Sequence, residues 1–466
     1  MKIPHQPVPM QPPEQRIHNF EEVCLGYDAQ TAMIEAMRCL RCPQPKCSQA
    51  CPLHNDIPRA MKFIAEGDFL AAAAVYEETS NLPQICGRVC PQERLCEGAC
   101  VRSKREEPVA LGKLEAFVSD YKREHGTFTF TPPPPTGRKV AVIGSGPAGL
   151  SAADELVKRG HAVTIFERWP YPGGLLVYGI PRFKLPLRVV EAKIEELKQK
   201  GVQFRCNTCV GKDMPFEELL ENFDAVFIAV GANYPVPLKV PGADLKGIYT
   251  ANDWLVRSHV PPELRPETLR TPLEVGKHVA VIGGGDTAMD CARTALRLGC
   301  ETSTIYYRRT EVEMPGNKRE RALAAEEGVR FEYLVAPVRF IGNDEGHVKA
   351  MELIRMELGE PDESGRRRPI PIEGSEFTVP IDTVVLALGY WPEPMWEELG
   401  KKLGLETHDW GLLTVDPETG ATSLPGVFAG GDAVVGPDLV STAMASARRA
   451  AVAIDQYLAE KASVAA

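Results

Sequence analysis

One local pattern occurs twice in this chain, and it leaves few folds open. Lys139–Gly144, KVAVIG, is a short β-branched run that enters a glycine-rich turn and then a helical pattern; Lys277–Gly283, KHVAVIG, begins the same sequence of events again. A buried strand, a glycine turn and a helix open a dinucleotide-binding module, so two such units predict two α/β modules built on parallel sheets. In the first unit Gly144, Gly146 and Gly149 form GxGxxG. The first glycine allows the tight turn, the second lets a pyrophosphate approach the backbone, and the third lets the helix pack closely on the sheet. The helix N-terminus then offers unpaired N–H groups to phosphate. A second strand over 162–166 ends at Glu167, where a carboxylate accepts both ribose hydroxyls. In the second unit Gly283, Gly285 and Ala288 give GxGxxA, and Arg308 and Arg309 stand where the acid would be. A carboxylate repels a 2′-phosphate, whereas guanidinium groups grip it through charge-assisted bonds. The two chemistries predict FAD in the first module and NADP(H) in the second.

The cysteines point to a different chemistry at the N-terminus. Nine of the 13 lie in the first 100 residues. The opening MKIPHQPVPMQPPEQ is polar and proline-rich, without the apolar stretch of a secretory signal, so a cytoplasmic protein is expected and a disulfide framework is not. The runs are Cys39-x2-Cys42-x4-Cys47-x3-Cys51-Pro52 and Cys86-x3-Cys90-Pro91-x4-Cys96-x3-Cys100. They lie closer to the bacterial ferredoxin pattern than to paired zinc hairpins, and nine thiols suffice for up to two 4Fe–4S clusters; structural zinc is the competing reading. Between them, helices are expected over Gln30–Arg41, with an apolar stripe of Ala32, Met33, Ala36, Met37 and Leu40, and on either side of Gly67 within Ile57–Thr79, the first capped by Asp56. The TPPPPT stretch at 131–136 reads as a stiff connector. The net charge of −10 supplies no basic face for nucleic acid, and no apolar run approaches a membrane span. The expected fold class is thus α/β: two Rossmann-like modules preceded by an α-helical iron–sulfur domain. The expected boundaries are 1–130 for the helical domain, 137–265 for the first part of the FAD module, 266–383 for the NADP(H) module, and 384–466 for the return to the FAD module.

Near the C-terminus, LPGVFAGGD places Gly430, Gly431 and Asp432 after an apolar strand. With the first module this resembles the two-dinucleotide-binding flavoprotein reductases, in which the equivalent Asp holds the FAD ribityl chain. The segments VFIAVGA (226–232) and VVLALGY (384–390) look like that superfamily's crossover strands. The region after the first module, GGLLVYGIPRFKLP, has no CxxxxC, and Cys206 and Cys209 lack an evident activating neighbour. Electrons on a flavin must therefore leave by another route.

The compound motifs RCLRCPQPKCSQACPLHNDIP, LPQICGRVCPQERLCEGAC and PVALGKLEAF resemble the small (β) subunit of NADPH-dependent glutamate synthase. They resemble equally its relatives, the large subunit of NADH-dependent ferredoxin:NADP oxidoreductase and the N-terminal half of dihydropyrimidine dehydrogenase. The resemblance implies one 4Fe–4S cluster on Cys39, Cys42, Cys47 and Cys100. It implies a second on Cys51, Cys90, Cys96 and Glu115, leaving Cys24 and Cys86 outside both sets. It also implies FAD on Gly144, Gly146, Gly149, Glu167, Gly174, Gly431 and Asp432, and NADP(H) on Gly283, Gly285, Ala288, Arg308 and Arg309. The activity so implied is hydride uptake from NADPH and single-electron delivery to a partner in a hetero-oligomer, either a glutamate synthase large subunit or a ferredoxin-linked flavoprotein subunit. No side-chain acid or base is nominated as catalytic. The alternatives are the large subunit of a bifurcating ferredoxin:NADP oxidoreductase and an electron-wiring subunit that exchanges no hydride.

Overall fold

The computed structural model describes residues 3–408 and 411–465. The N-terminal region is helical, with Ala29–Ala36, Ile57–Ala65, Phe69–Glu77, Pro83–Val89 and Leu111–His125 as its main elements. They enclose their own apolar core, which includes Ile64, Tyr76, Leu114 and Val118. Asp56 accepts a hydrogen bond from the Arg59 N–H at 3.3 Å and caps the second of these helices, a contact worth about 1 kcal/mol. The first helix stops at Ala36 and not at Arg41, and Met37 and Leu40 are left exposed. The chain must turn there to aim Cys39 and Cys42 at one point, and Arg41 takes up the turn with φ at 48°. Arg38 is fully buried and holds the turn from behind, donating to the Pro108 carbonyl at 2.9 Å and the Glu107 carbonyl at 2.6 Å.

After the exposed proline connector the first sheet begins. Its strands are β1 (Lys139–Ile143), β2 (Ala162–Phe166), β3 (Gln203–Arg205) and β4 (Ala225–Ile228). All four residues of β4 and the last four of β1 are buried, as a parallel sheet covered on both faces requires. A short strand β5 (Tyr234–Pro235) then leads to a second parallel sheet. That sheet takes in β6 (Ile248–Thr250), β7 (His278–Ile282), β8 (Thr302–Tyr307) and β9 (Arg330–Tyr333). An antiparallel insertion follows, made of β10 (Val335–Gly342), β11 (Val348–Pro361), β12 (Arg367–Pro371) and β13 (Phe377–Pro380). The second sheet is completed by β14 (Thr383–Leu386), and β15 (Tyr390–Trp391) pairs with β5. Finally β16 (Val427–Ala429) returns to the first sheet, whose order is β16-β4-β1-β2-β3; the second is β6-β14-β7-β8-β9. The closing helix Val440–Ala465 packs on the helix Pro147–Val157 that follows β1.

Sheet membership moves two expected boundaries. β6 and β14 both belong to the second sheet, so the second module starts well before residue 266 and extends beyond 383. The chain passes between modules at the β5–β15 ribbon, where both crossings pair with each other. Among the described residues no helix is long and apolar enough to cross a membrane.

Candidate functional site

The turn after β1 is shaped by close approach. A Cβ on Gly149 would stand 2.0 Å from the Gly144 carbonyl oxygen, so only glycine lets the helix sit this near the sheet, while the side of Gly146 faces open space. Glu167, at the end of β2, is buried and accepts the Ser145 N–H at 3.1 Å, the Ser145 hydroxyl and the Trp169 N–H at 2.9 Å. The same Ser145 hydroxyl accepts the Gly173 N–H at 2.9 Å, which seats Gly174 against Gly146. Across the turn, Gly431 donates its N–H to Ser446 at 2.9 Å. Burial raises the Asp432 carboxyl to about 7, so near neutral pH it can donate as well as accept toward a polyol.

The second module repeats this cradle. A Cβ on Gly283 would meet the Ala387 carbonyl oxygen at 2.1 Å, Gly285 faces open space, and Ala288 is fully buried in the third position. The two arginines after β8 do not act alike. Arg308 reaches solvent, whereas Arg309 is buried and already engaged, donating to Asp362 at 2.6 Å and to the Arg367 carbonyl at 2.7 Å. The expectation of two free guanidinium groups thus fails for Arg309, because neighbours at a strand end point to opposite sides.

The first cradle opens into a cavity of about 1120 Å³, which Gly146, Glu167 and Asp432 line from the first module and Asp286 and Thr287, just after the second glycine turn, line from the second. It exceeds the roughly 300–1,000 Å³ of a single-ligand pocket. Lys184 and Asp290 tie its walls together at 2.9 Å. Cys90 of the helical domain lines the same cavity, so the thiols begin where the nucleotide sites end.

Cys39, Cys42, Cys47 and Cys100 line one small cavity. Burial raises Cys39, and it raises Cys47 to about 11, a cost that a cationic iron centre removes. Elsewhere, Cys51 and Cys96 feel the charges of Glu115 and Cys90, and Glu115 feels that of Cys90. Glu115 is buried with its Oε1 lacking any hydrogen-bond partner among the described residues. An orphaned carboxylate oxygen among three thiols suits a cluster ligand. Cys86 is buried beside this second set and donates its thiol proton toward Cys90. Cys51 and Cys90 of the second set pack on the first module's core, while Cys96 packs, with Cys39, Cys47 and Cys100, on the helical domain's own core. The second set is therefore the inner one. Spacing could not have found Glu115, and nothing in the sequence marked Ser145 as the residue that joins Glu167 to Gly173.

Residues 16–127 match the family model for dihydropyrimidine dehydrogenase domain II, 4Fe-4S cluster, and residues 138–447 match that for pyridine nucleotide-disulphide oxidoreductase. Together with the two dinucleotide cradles, these matches define a pyridine-nucleotide flavoprotein oxidoreductase bearing an iron–sulfur domain. The chain is 42% identical over 462 residues to the glutamate synthase (NADPH) small chain of Halomonas elongata, spanning 96% of this chain and 95% of that one. It is 41% identical to the Escherichia coli small chain, with 97% and 96% covered. The chain belongs to the glutamate synthase small-chain family. It is also 39% identical to the NADPH-Fe(3+) oxidoreductase subunit beta of Geobacter sulfurreducens, covering 89% of this chain and 64% of that one. The solved FprA of Mycobacterium tuberculosis in complex with NADPH shares the fold, with a TM-score of 0.60 at 22% identity, over 70% of this chain and 86% of that chain.

Proposed function

We propose that this chain accepts hydride from NADPH at its nucleotide cavity and delivers single electrons through its helical domain to a partner subunit of the glutamate synthase large-chain type. The observation that carries this reading is the single cavity that joins the first glycine cradle, the Asp286–Thr287 start of the helix after the second glycine turn, and Cys90. Bound there, FAD would convert a two-electron donation into single electrons, and two 4Fe–4S clusters would relay them. The chain's own part is binding and placement. Gly144, Gly146 and Gly149 present the helix N-terminus to a pyrophosphate, Glu167 faces the ribose, and Gly174, Gly431 and Asp432 close on the ribityl side. Gly283, Gly285 and Ala288 seat the nicotinamide nucleotide, with Arg308 toward its 2′-phosphate. Cys51, Cys90, Cys96 and Glu115 hold the inner cluster, and Cys39, Cys42, Cys47 and Cys100 the outer one, next to exposed Leu40. No side chain needs to move a proton for hydride transfer.

The test is the half-reaction. The isolated holoprotein should reduce an artificial acceptor with NADPH and should form no glutamate from 2-oxoglutarate and glutamine until a large chain is added. Glutamate formation by the single chain would refute the subunit reading. A second expectation concerns Glu115. Glu115→Ala should lose the inner cluster, whereas Glu115→Gln keeps an oxygen ligand and should retain it with an altered electron paramagnetic resonance spectrum. Full iron content in Glu115→Ala would transfer the ligand role to Cys86.

A further inference from the structure

We infer that discrimination for the 2′-phosphate is made by Arg308 together with Arg366, delivered by the β11–β12 hairpin, while Arg309 serves as the latch that holds the hairpin tip in place. This deepens the NADPH reading above and rests on it. In a dinucleotide module the adenosine ribose lies at the C-terminal end of the second strand, here β8, which ends at Tyr307. The hairpin pairs Pro361 with Arg367 and turns through 362–366. Its tip is fastened to the end of β8 by two straps. In the first, Asp362 accepts Arg309 at 2.6 Å while holding its own turn through the Ser364 N–H at 2.9 Å and the Arg366 N–H at 3.3 Å. In the second, Arg367 donates to Glu313 at 2.6 Å, and Glu313 accepts the Thr310 N–H at 3.2 Å. The straps consume Arg309 and Arg367. Arg308 and Arg366 make no ion pair among the described residues; the Arg366 side chain donates to the Ser364 hydroxyl at 2.9 Å. The Arg309–Asp362 bond brings the tip to the residue next to Arg308, Arg366 is tied to the same Asp362 through its N–H, and the positive charges of both Arg309 and Arg366 bear on Arg308. Two unpaired guanidinium groups held together at the ribose end form a dianion site, and a phosphate that bonds both relieves their repulsion.

The experiment measures binding to the holoprotein by calorimetry, with adenosine 2′,5′-bisphosphate and adenosine 5′-monophosphate as probes. Arg366→Gln should weaken the bisphosphate roughly 10–100-fold, the range for hydrogen bonds to charged groups, and leave the monophosphate unchanged. Arg309→Gln should weaken the bisphosphate through release of the tip, and the Arg309→Gln/Arg366→Gln double variant should be no worse than Arg366→Gln alone. Thermal unfolding checks that each variant is folded. If Arg308→Gln loses the bisphosphate while Arg366→Gln binds it like wild type, the hairpin inference is overturned and the NADPH reading stands. If the double variant is worse by the product of the two single losses, Arg309 is a direct ligand and the latch assignment falls. If the wild type binds both probes equally, the NADPH reading itself fails.

Discussion

Cys42→Ser should lose about half of the iron and sulfide bound by the wild type, and with it the order of the Cys39–Cys47 segment. Cys42 is one of four thiols lining the outer cavity, and the fourth, Cys100, comes from a distant part of the chain. A cluster on these groups therefore crosslinks the Cys39–Cys47 segment to the chain around Cys100, and ligand loss is loss of local folding. The measurement is iron and sulfide analysis of anaerobically purified protein, with hydrogen exchange to locate the loosened segment. Acceptors that draw electrons directly from the flavin should still be reduced, while delivery to the partner chain should stop. Cys86→Ser is the control and should keep its full load, because Cys86 acts as a buried donor to Cys90. Full iron in Cys42→Ser would sink the ligand set.

Glu327→Gln should destabilise the protein by roughly 3–5 kcal/mol near neutral pH, the usual effect of removing one partner from a buried charged network. Glu327 is buried and accepts Arg16 at 2.7 Å, Arg293 at 2.8 and 3.0 Å, and Arg297 at 2.7 and 3.1 Å. Arg293 and Arg297 stand over the Phe183 ring at 4.7 and 3.9 Å. The N-terminal arm, the first module and the second module thus meet at one carboxylate. Burial alone would raise its pKa, but the arginine hydrogen bonds outweigh it and bring it down to about 2, from an ordinary 4.5. A depressed folded-state pKa contributes stability that is fully present above the unfolded value and is lost as pH falls toward the folded one. The difference between wild type and Glu327→Gln should therefore be constant above pH 4.5 and shrink between 4.5 and 2. Urea unfolding across that range measures it; a pH-independent difference would show that the carboxylate's charge is not what the arginines hold.

The parts of the site that were legible in the sequence are those whose chemistry is local. A strand, a glycine turn and a helix are contiguous, so the steric demand on Gly149 is written within a few residues, whereas that on Gly283 comes from the distant Ala387 carbonyl. Glu167 at the end of the next strand and the Asp56 cap are local in the same way as Gly149. Residue spacing could indicate that the cysteines serve iron rather than disulfides, but only the family resemblance divided them into two sets and pointed to Glu115. The helix over Gln30–Arg41 was misjudged at its end because its apolar stripe continues past Ala36. Met37 and Leu40 are in fact exposed where the chain turns to present thiols.

What the sequence by itself determined is the kind of modules, their order, and the residue types that each cradle requires, since these follow from backbone sterics and from charges only a turn apart. Only the tertiary structure decided where the modules divide, because β14 joins the second sheet by pairing with β7, and β6 by pairing with β14, each across more than a hundred residues. It alone decided that Arg309 is spent on Asp362, in the same turn as Arg366. A guanidinium is free or engaged according to which carboxylate the fold brings within hydrogen-bond reach, and that distance is set by the packing of a hairpin, not by any neighbour in the chain.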